Sequence, residues 1–101
     1  VSGIKLLKSD QRFNSAYWLY TIRVLNGKKQ EFMAKMKEAG ITTSQVHNRN
    51  DINSCVEDFQ EELLNLDVLE KELVCIPVGW WLTEKEDLEH IVKSIKRILL
   101  K

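Results

Sequence analysis

One feature near the end of the sequence constrains the fold more than any other, and it is a one-sided apolar stripe. Apolar residues recur there every three or four positions, which is the spacing of one face of an α-helix, and they are Leu88, Ile91, Val92, Ile95, Ile98 and Leu99. Thr83 and Glu86 have the spacing of a capping box, so we expect Thr83 to cap this helix. A helix with a single apolar face must pack on a second layer.

Residues 16–25 predict that second layer, because aromatic and β-branched residues dominate them. Both faces of this strand are apolar apart from Arg23, which favours an interior strand that is covered on both sides. Two more strands are expected at residues 41–46 and 73–78, and a short one at residues 4–7. The final helix therefore has a sheet to pack on.

Turn and capping residues predict the remaining helices, which cover residues 28–39, 55–62 and 67–72. Asn26 and Gly27 turn the chain, and Asn26 is placed to cap the first of these helices. Gly40 lies where a C-capping glycine belongs. A helix between two strands permits a right-handed crossover. We therefore expect a single α/β (α+β) domain over residues 1–101, with a small sheet of about three to four strands and helices packed on it.

Composition excludes several classes of function. The 15 basic and 15 acidic side chains balance, and no basic stripe is present, which argues against nucleic acid and anionic membranes as partners. No apolar run approaches the ~18 residues of a membrane span. Cys55 and Cys75 lack metal or redox spacing, so we expect both to be reduced in a cytoplasmic protein. The first residues resemble no signal peptide and begin at Val1, which suggests a piece of a longer chain.

Few side chains can support chemistry. His90 lies on the predicted final helix, where a structural or surface role is expected. His47 ends a predicted strand and opens a polar loop over residues 47–54, a position at which sites are often built. A structural role for His47 remains the alternative. No metal site is expected, because no cluster of ligands has suitable spacing, and no glycine-rich phosphate loop is present.

Trp80 and Trp81 are adjacent on a segment that predicts neither helix nor strand. Neighbouring side chains there should point to opposite sides. One interpretation is a lid over the domain's own core. The other is an interface with a second domain or subunit, where tryptophan is a common anchor, and we name both residues as interface candidates.

Four segments, taken in order, resemble the small C-terminal domain of DegT-type sugar aminotransferases, and they are residues 15–24, 40–47, 74–78 and 82–87. These enzymes depend on pyridoxal phosphate and have the aspartate aminotransferase fold (fold type I). Within the second segment, Gly40, Ile41 and Thr42 lead to His47, as in the family. The resemblance covers roughly residues 13–100.

The resemblance implies transamination of a nucleotide-linked keto-sugar, with glutamate as the amino donor, in nucleotide-sugar and cell-surface polysaccharide biosynthesis. In the family, the Schiff-base lysine and the phosphate contacts belong to a large domain, which is absent from this chain. We therefore assign no catalytic and no cofactor-binding residue here, and expect pyridoxal phosphate only in the parent enzyme. The missing large domain is the expected partner, and the parent is expected to be a homodimer.

The same resemblance implies which residues meet the substrate. His47 matches a family histidine near the sugar-nucleotide pocket, whereas Asn48 and Arg49 replace an aromatic residue and a proline found in many members. A guanidinium suits a diphosphate, so Arg49 is assigned to it, and Asn48 and Asn50 to sugar hydroxyls. The alternative is a solvated loop whose side chains only satisfy turns. A free-standing α/β module that binds a small molecule or a protein remains the second reading of the whole chain.

Overall fold

The computed structural model describes residues 1–100. Its elements follow in the order β1 (Ile4–Leu6), β2 (Tyr20–Val24), α1 (Lys29–Glu38), a 3₁₀ helix (Ser54–Phe59), α2 (Leu64–Glu70), β3 (Leu73–Ile76) and α3 (Lys85–Leu99). None of the helices in this described part is long and apolar enough to cross a membrane.

The sheet has three antiparallel strands in the order β1-β2-β3. Its centre is β2, in which Ile22 pairs with Leu6 on one side and with Val74 on the other. The small sheet with helices packed on it confirms the predicted fold class, but no crossover connects the first long strand to residues 41–46, because these residues form no strand. Strand β3, which pairs with β2, runs in the opposite direction.

The strand predicted at residues 41–46 is also wrong, because this segment makes only one bridge to the sheet. Ser44 N donates to Cys75 O at 3.1 Å, and Cys75 N donates to Ser44 O at 2.8 Å. The next side chain, Gln45, accepts a hydrogen bond from Lys29 Nζ, which also donates to Glu70 O at 2.7 Å. This contact holds the segment towards α2, so it does not continue along β3.

One face of the sheet carries the core, whose buried apolar residues are Ile22, Val24, Phe32, Met36, Ile41, Val74, Ile91, Ile95 and Leu99. The other face is only partly buried and holds Thr21, Arg23 and Cys75. Arg23 Nε donates there to Glu72 Oε2 at 2.6 Å. The expectation that β2 is covered on both faces is therefore wrong.

The end of α1 confirms the role predicted for Gly40. This residue has a φ of +77°, in the left-handed region that favours glycine. Gly40 N donates to Lys37 O at 3.0 Å, and Ile41 N donates to Met36 O at 2.9 Å. These are the two bonds of a Schellman motif, and the buried Ile41 and Met36 supply its apolar contact.

The predicted N-capping residues of α1 and α3 are wrong. Glu84 precedes α3 and Lys28 precedes α1, each without a side-chain capping bond, so neither Thr83 nor Asn26 caps a helix. Asn26 instead has a φ of +61° in the turn. The acidic residues Glu86 and Asp87 in the first turn of α3 favour its start by their interaction with the helix dipole.

Two short elements differ from the sequence prediction. The α-helix expected over residues 55–62 is the 3₁₀ helix Ser54–Phe59, and α2 begins at Leu64 rather than at residue 67. The strand predicted to begin at residue 16 begins at Tyr20, because Tyr17 has a φ of +47°. Tyr17 N donates to Ser15 Oγ at 3.1 Å in this turn, which leaves Trp18 outside the sheet.

Candidate functional site

A concave surface of about 560 Å³ opens where three irregular segments meet the first turns of α3. Trp18 and Leu19 come from the segment before β2, residues 40–42 and Ser44 from the segment after α1, and residues 76–78 from the end of β3. Trp81, Asp87 and His90 complete the walls. We call this surface the aromatic cleft. It exists because each segment leaves its helix or strand at the same end of the sheet.

The loop predicted to contact substrate begins at the rim of the aromatic cleft. The ring of His47 lies 6.0 Å from that of Trp18, centroid to centroid, with the planes tilted by 59°. Both side chains are exposed, and 76% of Trp18 is accessible. Asn48 and Asn50 of the same loop are also exposed. The structure thus brings His47 to an aromatic wall that also belongs to the cleft.

Arg49 is held by three carboxylates. Its Nε and Nη2 donate to the two carboxylate oxygens of Asp51 at 2.7 and 2.5 Å. Its Nη1 donates to Asp67 Oδ1 at 2.6 Å and to Glu70 Oε2 at 3.2 Å. Only 14% of the Arg49 side chain is exposed. A diphosphate would have to displace these carboxylates, so the geometry favours a role in fastening the loop to α2.

The charges in this cluster stabilise one another. The hydrogen bond from Arg49 lowers the pKa of Asp51 below its usual value, and its charge acts in the same direction. The bonds to Asp51, Asp67 and Glu70 raise the pKa of Arg49, in that order of importance. Arg49 and Asp51 are therefore both ionised at neutral pH, and charge-assisted hydrogen bonds hold the loop in place.

Lys29 is a second cation that positions the loop, and no pattern in the sequence marks it as such. Only 4% of this residue is exposed. It binds Gln45, two residues before His47, and the backbone of Glu70. Burial lowers the pKa of Lys29, and the charge of Glu70 partly opposes this. Its place directly before the apolar run of α1 is not such a pattern, because lysine at a helix start is ordinarily solvated.

Trp18 was also missed as a site residue. We placed it on a strand face, whereas the left-handed turn at Tyr17 removes it from the sheet. Tyr17 stacks on Tyr20, with ring centroids 5.6 Å apart and planes 15° apart. The signal in the sequence was that three of the four residues 17–20 are aromatic. A single face of a short strand cannot bury three such large side chains.

Trp80 and Trp81 do not enter the core. They are 86% and 60% exposed, and their rings pack edge to face with centroids 6.1 Å apart. The expectation that they point to opposite sides is wrong. Trp81 folds back over Gly79, where a Cβ atom would overlap its ring. Their assignment to an interface stays a prediction, and their exposure removes the alternative of a core lid.

His90 has the structural contact that its position predicts. Its Nε2 lies 3.0 Å from the carbonyl oxygen of Ala39 and so links α3 to the end of α1. Cys55 and Cys75 are free thiols. Among residues 1–100, no group of three or more potential ligand side chains is placed to hold a metal ion.

The residues of the aromatic cleft do not fit pyridoxal phosphate. The cofactor needs a lysine for its Schiff base and donors for its phosphate, and in the described part of the chain no lysine or arginine lines the cleft. The one buried lysine among residues 1–100, Lys29, is bound to Gln45 and Glu70. What the cleft can supply is an aromatic surface, a few polar groups and exclusion of water.

Neither a protein-family model nor a curated protein sequence matches the chain. Solved structures do. Sugar aminotransferase CalS13 from Micromonospora echinospora is 37% identical with a TM-score of 0.88, and the match covers 96% of this chain and 26% of CalS13. AtS13 from Actinomadura melliaura is 36% identical with a TM-score of 0.86, over 96% of this chain and 25% of AtS13.

A third structure shares the fold at low identity. The aminotransferase TlmJ from Streptoalloteichus hindustanus is 17% identical with a TM-score of 0.89, over 99% of this chain and 27% of TlmJ. The chain thus spans about a quarter of the length of each of these proteins. Its fold matches one part of a sugar aminotransferase, in agreement with the resemblance found in the sequence.

Proposed function

We propose that this chain is the C-terminal domain of a pyridoxal-phosphate-dependent sugar aminotransferase and forms one wall of its substrate cleft. The observation that carries the proposal is the 37% identity to CalS13 with a TM-score of 0.88 over 96% of the chain. We assign to the parent enzyme a nucleotide-linked keto-sugar as substrate and glutamate as amino donor. The parent is a homodimer in this proposal.

In this proposal, this chain and the rest of the parent enzyme have different roles. Pyridoxal phosphate supplies the electron sink for transamination and needs a lysine outside this chain. The wall formed here binds and orients the substrate. Trp18 exposes an indole on which a nucleobase or the apolar face of a sugar can stack. His47, 6.0 Å away, offers a ring nitrogen to a polar group of the same substrate.

The loop must be rigid for this contact to be selective. Arg49 ties it to Asp67 and Glu70 of α2, and Lys29 ties Gln45 to the same helix. We assign Asn48 and Asn50, which flank Arg49 and remain exposed, to sugar hydroxyls. In this proposal Arg49 and Lys29 are positioning residues, and Arg49 does not contact the diphosphate.

The shape of the chain supports a domain that has a neighbour over a free-standing module. A folded monomer of 11.8 kDa exposes about 5,900 Å², whereas this chain exposes 8178 Å². The excess is about 2,300 Å² by that scaling. Its radius of gyration is 15.6 Å, against about 13 Å for a compact domain of this length.

A chimera tests the proposal. It replaces the matched quarter of CalS13 with this chain, and transamination is followed with the substrates that CalS13 itself turns over. We expect an active enzyme in which His47→Ala lowers kcat/KM by about 10-fold to 100-fold, the range of a lost substrate hydrogen bond. Asn53→Ala, an exposed change in the same loop, is the matched control and should leave kcat/KM within about 2-fold.

Two results would contradict the proposal. A chimera that binds pyridoxal phosphate but has no activity would show that this chain cannot form the wall. Equal kcat/KM for His47→Ala and Asn53→Ala would remove the loop from the substrate site. The isolated chain offers a further check, because it should show no absorbance of a lysine-linked cofactor after incubation with pyridoxal phosphate.

A further inference from the structure

We infer that a groove between β1 and α3 is the surface on which the rest of the parent enzyme docks, and that it receives two neighbouring bulky apolar side chains from that remaining part. The inference rests on the proposed function and adds to it the place of contact. We call this surface the β1–α3 groove. It adjoins the aromatic cleft and shares residues 76–78, Leu82 and Ile91 with it.

The β1–α3 groove has a volume of about 370 Å³, and no charged side chain of residues 1–100 lines it. Leu6 forms one wall and Leu88 and Val92 form the other, with Tyr20 and Ile22 at the floor. Leu6 is 54% exposed, and Leu88 and Val92 are each 47% exposed. Binding of a partner that removes these half-exposed apolar walls from water is favourable in free energy.

The course of α3 explains why the groove is open. Towards its C-terminal end the helix closes on the start of β1, where Leu99 Cβ lies 3.6 Å from the position of a Cβ on Gly3. The buried line of α3 is Ile91, Ile95 and Leu99, spaced by four residues. Leu88 and Val92 form a parallel line with the same spacing, and residues 1–100 leave about half of it uncovered.

The exposed area indicates how large an interface this chain can form. This chain exposes 8178 Å², about 2,300 Å² more than a monomer of its mass. A standard interface buries about 800 Å² on each partner, and obligate interfaces bury more. The excess is therefore large enough for an obligate contact with another domain. A cavity of about 150 Å³ holds a benzene molecule, so this groove has room for about two large side chains.

The occupant is the rest of the enzyme and not a second copy of this chain. Two copies related by a two-fold axis through the groove would place one concave surface opposite the other and leave both unfilled. Filling it requires a convex apolar surface from a different part of the protein. The matched structures supply such a part, because about three quarters of CalS13 lies outside the match.

The test uses the CalS13 chimera with a protease site between this chain and the part that comes from CalS13. After cleavage, gel filtration over a dilution series measures how strongly the two parts stay together. We expect Leu88→Lys with Val92→Lys to weaken this association by about 100-fold, because two apolar anchors are lost. The matched control is Leu64→Lys with Val68→Lys on α2, which has the same spacing and similar exposure and should change it by less than about 3-fold.

Each outcome has a defined meaning. If the two cleaved parts associate equally strongly in both double variants, and the chimera remains active, the groove inference is overturned and the proposed function still stands. Parts that separate even without substitutions, in an active chimera, would also overturn the inference. An inactive chimera whose parts separate would remove both. The isolated chain is tested in parallel by sedimentation, and a dimer that Leu88→Lys with Val92→Lys dissolves would identify a second copy as the occupant and refute the inference.

Discussion

The substitution Gly40→Ala tests whether the end of α1 is held by backbone conformation. Gly40 has a φ of +77°, and an added Cβ would meet no atom within 4 Å. A steric clash is therefore excluded, and the cost comes from the left-handed backbone alone, which is about 1–2 kcal/mol for a residue with a Cβ. Two hydrogen bonds, from Gly40 N to Lys37 O and from Ile41 N to Met36 O, prevent the backbone from relaxing to negative φ.

Urea unfolding followed by circular dichroism measures this cost. We expect Gly40→Ala to lower the free energy of unfolding by about 1–2 kcal/mol with an unchanged m-value. For a domain of this size, that corresponds to a melting temperature lower by about 4–16 °C. Gly40→Asn is the control and should cost clearly less, because asparagine tolerates the left-handed region. A loss below about 0.5 kcal/mol, or equal losses for alanine and asparagine, would refute the account of this helix end.

Three further predictions concern the core, the cleft and the loop. Ile22→Ala, at a position 1% exposed, should lower the free energy of unfolding by about 3 kcal/mol in the same urea assay. Gly79→Ala should displace the Trp81 ring and abolish the near-ultraviolet signal of the indole pair, yet cost less than about 1 kcal/mol because Trp81 is 60% exposed and can move. Arg49 lowers the pKa of Asp51, so this pair stabilises the fold above pH about 4, and the contribution is lost as the pH falls through the lowered pKa. Arg49→Met should therefore destabilise the chain at pH 7 and progressively less in acid.

The outcomes that would contradict these three expectations are specific. A loss below about 1 kcal/mol for Ile22→Ala would mean that the core repacks around the site. An unchanged tryptophan signal in Gly79→Ala would mean that Trp81 does not lie over Gly79. A constant difference in stability between Arg49→Met and the unmodified chain from pH 7 to pH 2 would show that the Asp51 carboxylate does not contribute through its ionisation.

Local signals in the sequence identified the elements whose cause is also local. The helix α1 ends where Gly40 predicts, because only glycine enters the left-handed region without cost. The stripe of α3 was found from its period of 3.6 residues, and β2 from the aromatic and β-branched residues that dominate it. The resemblance to sugar aminotransferases was likewise visible in ordered motifs, and the likeness to CalS13 supports it.

Contacts between distant residues decided what the sequence analysis missed. The direction of β3 depends on its pairing with β2, and residues 41–46 leave the sheet because Lys29 holds Gln45. Arg49 was predicted to be available to a diphosphate because two of its three carboxylate partners are far from it in sequence. They lie on α2, 18 and 21 residues further along the chain. Short-range patterns do not encode such partners.

The sequence by itself determined that α3 has an apolar face, and the tertiary structure decided how much of that face this chain can cover. Ile91 and Ile95 are buried against the sheet, whereas Leu88 and Val92 on the adjoining line remain half exposed beside the β1–α3 groove. Periodicity marks every residue that avoids water, but it does not distinguish the residues covered within the chain from those left for a partner. That distinction depends on the path of the helix over the sheet, which long-range packing sets.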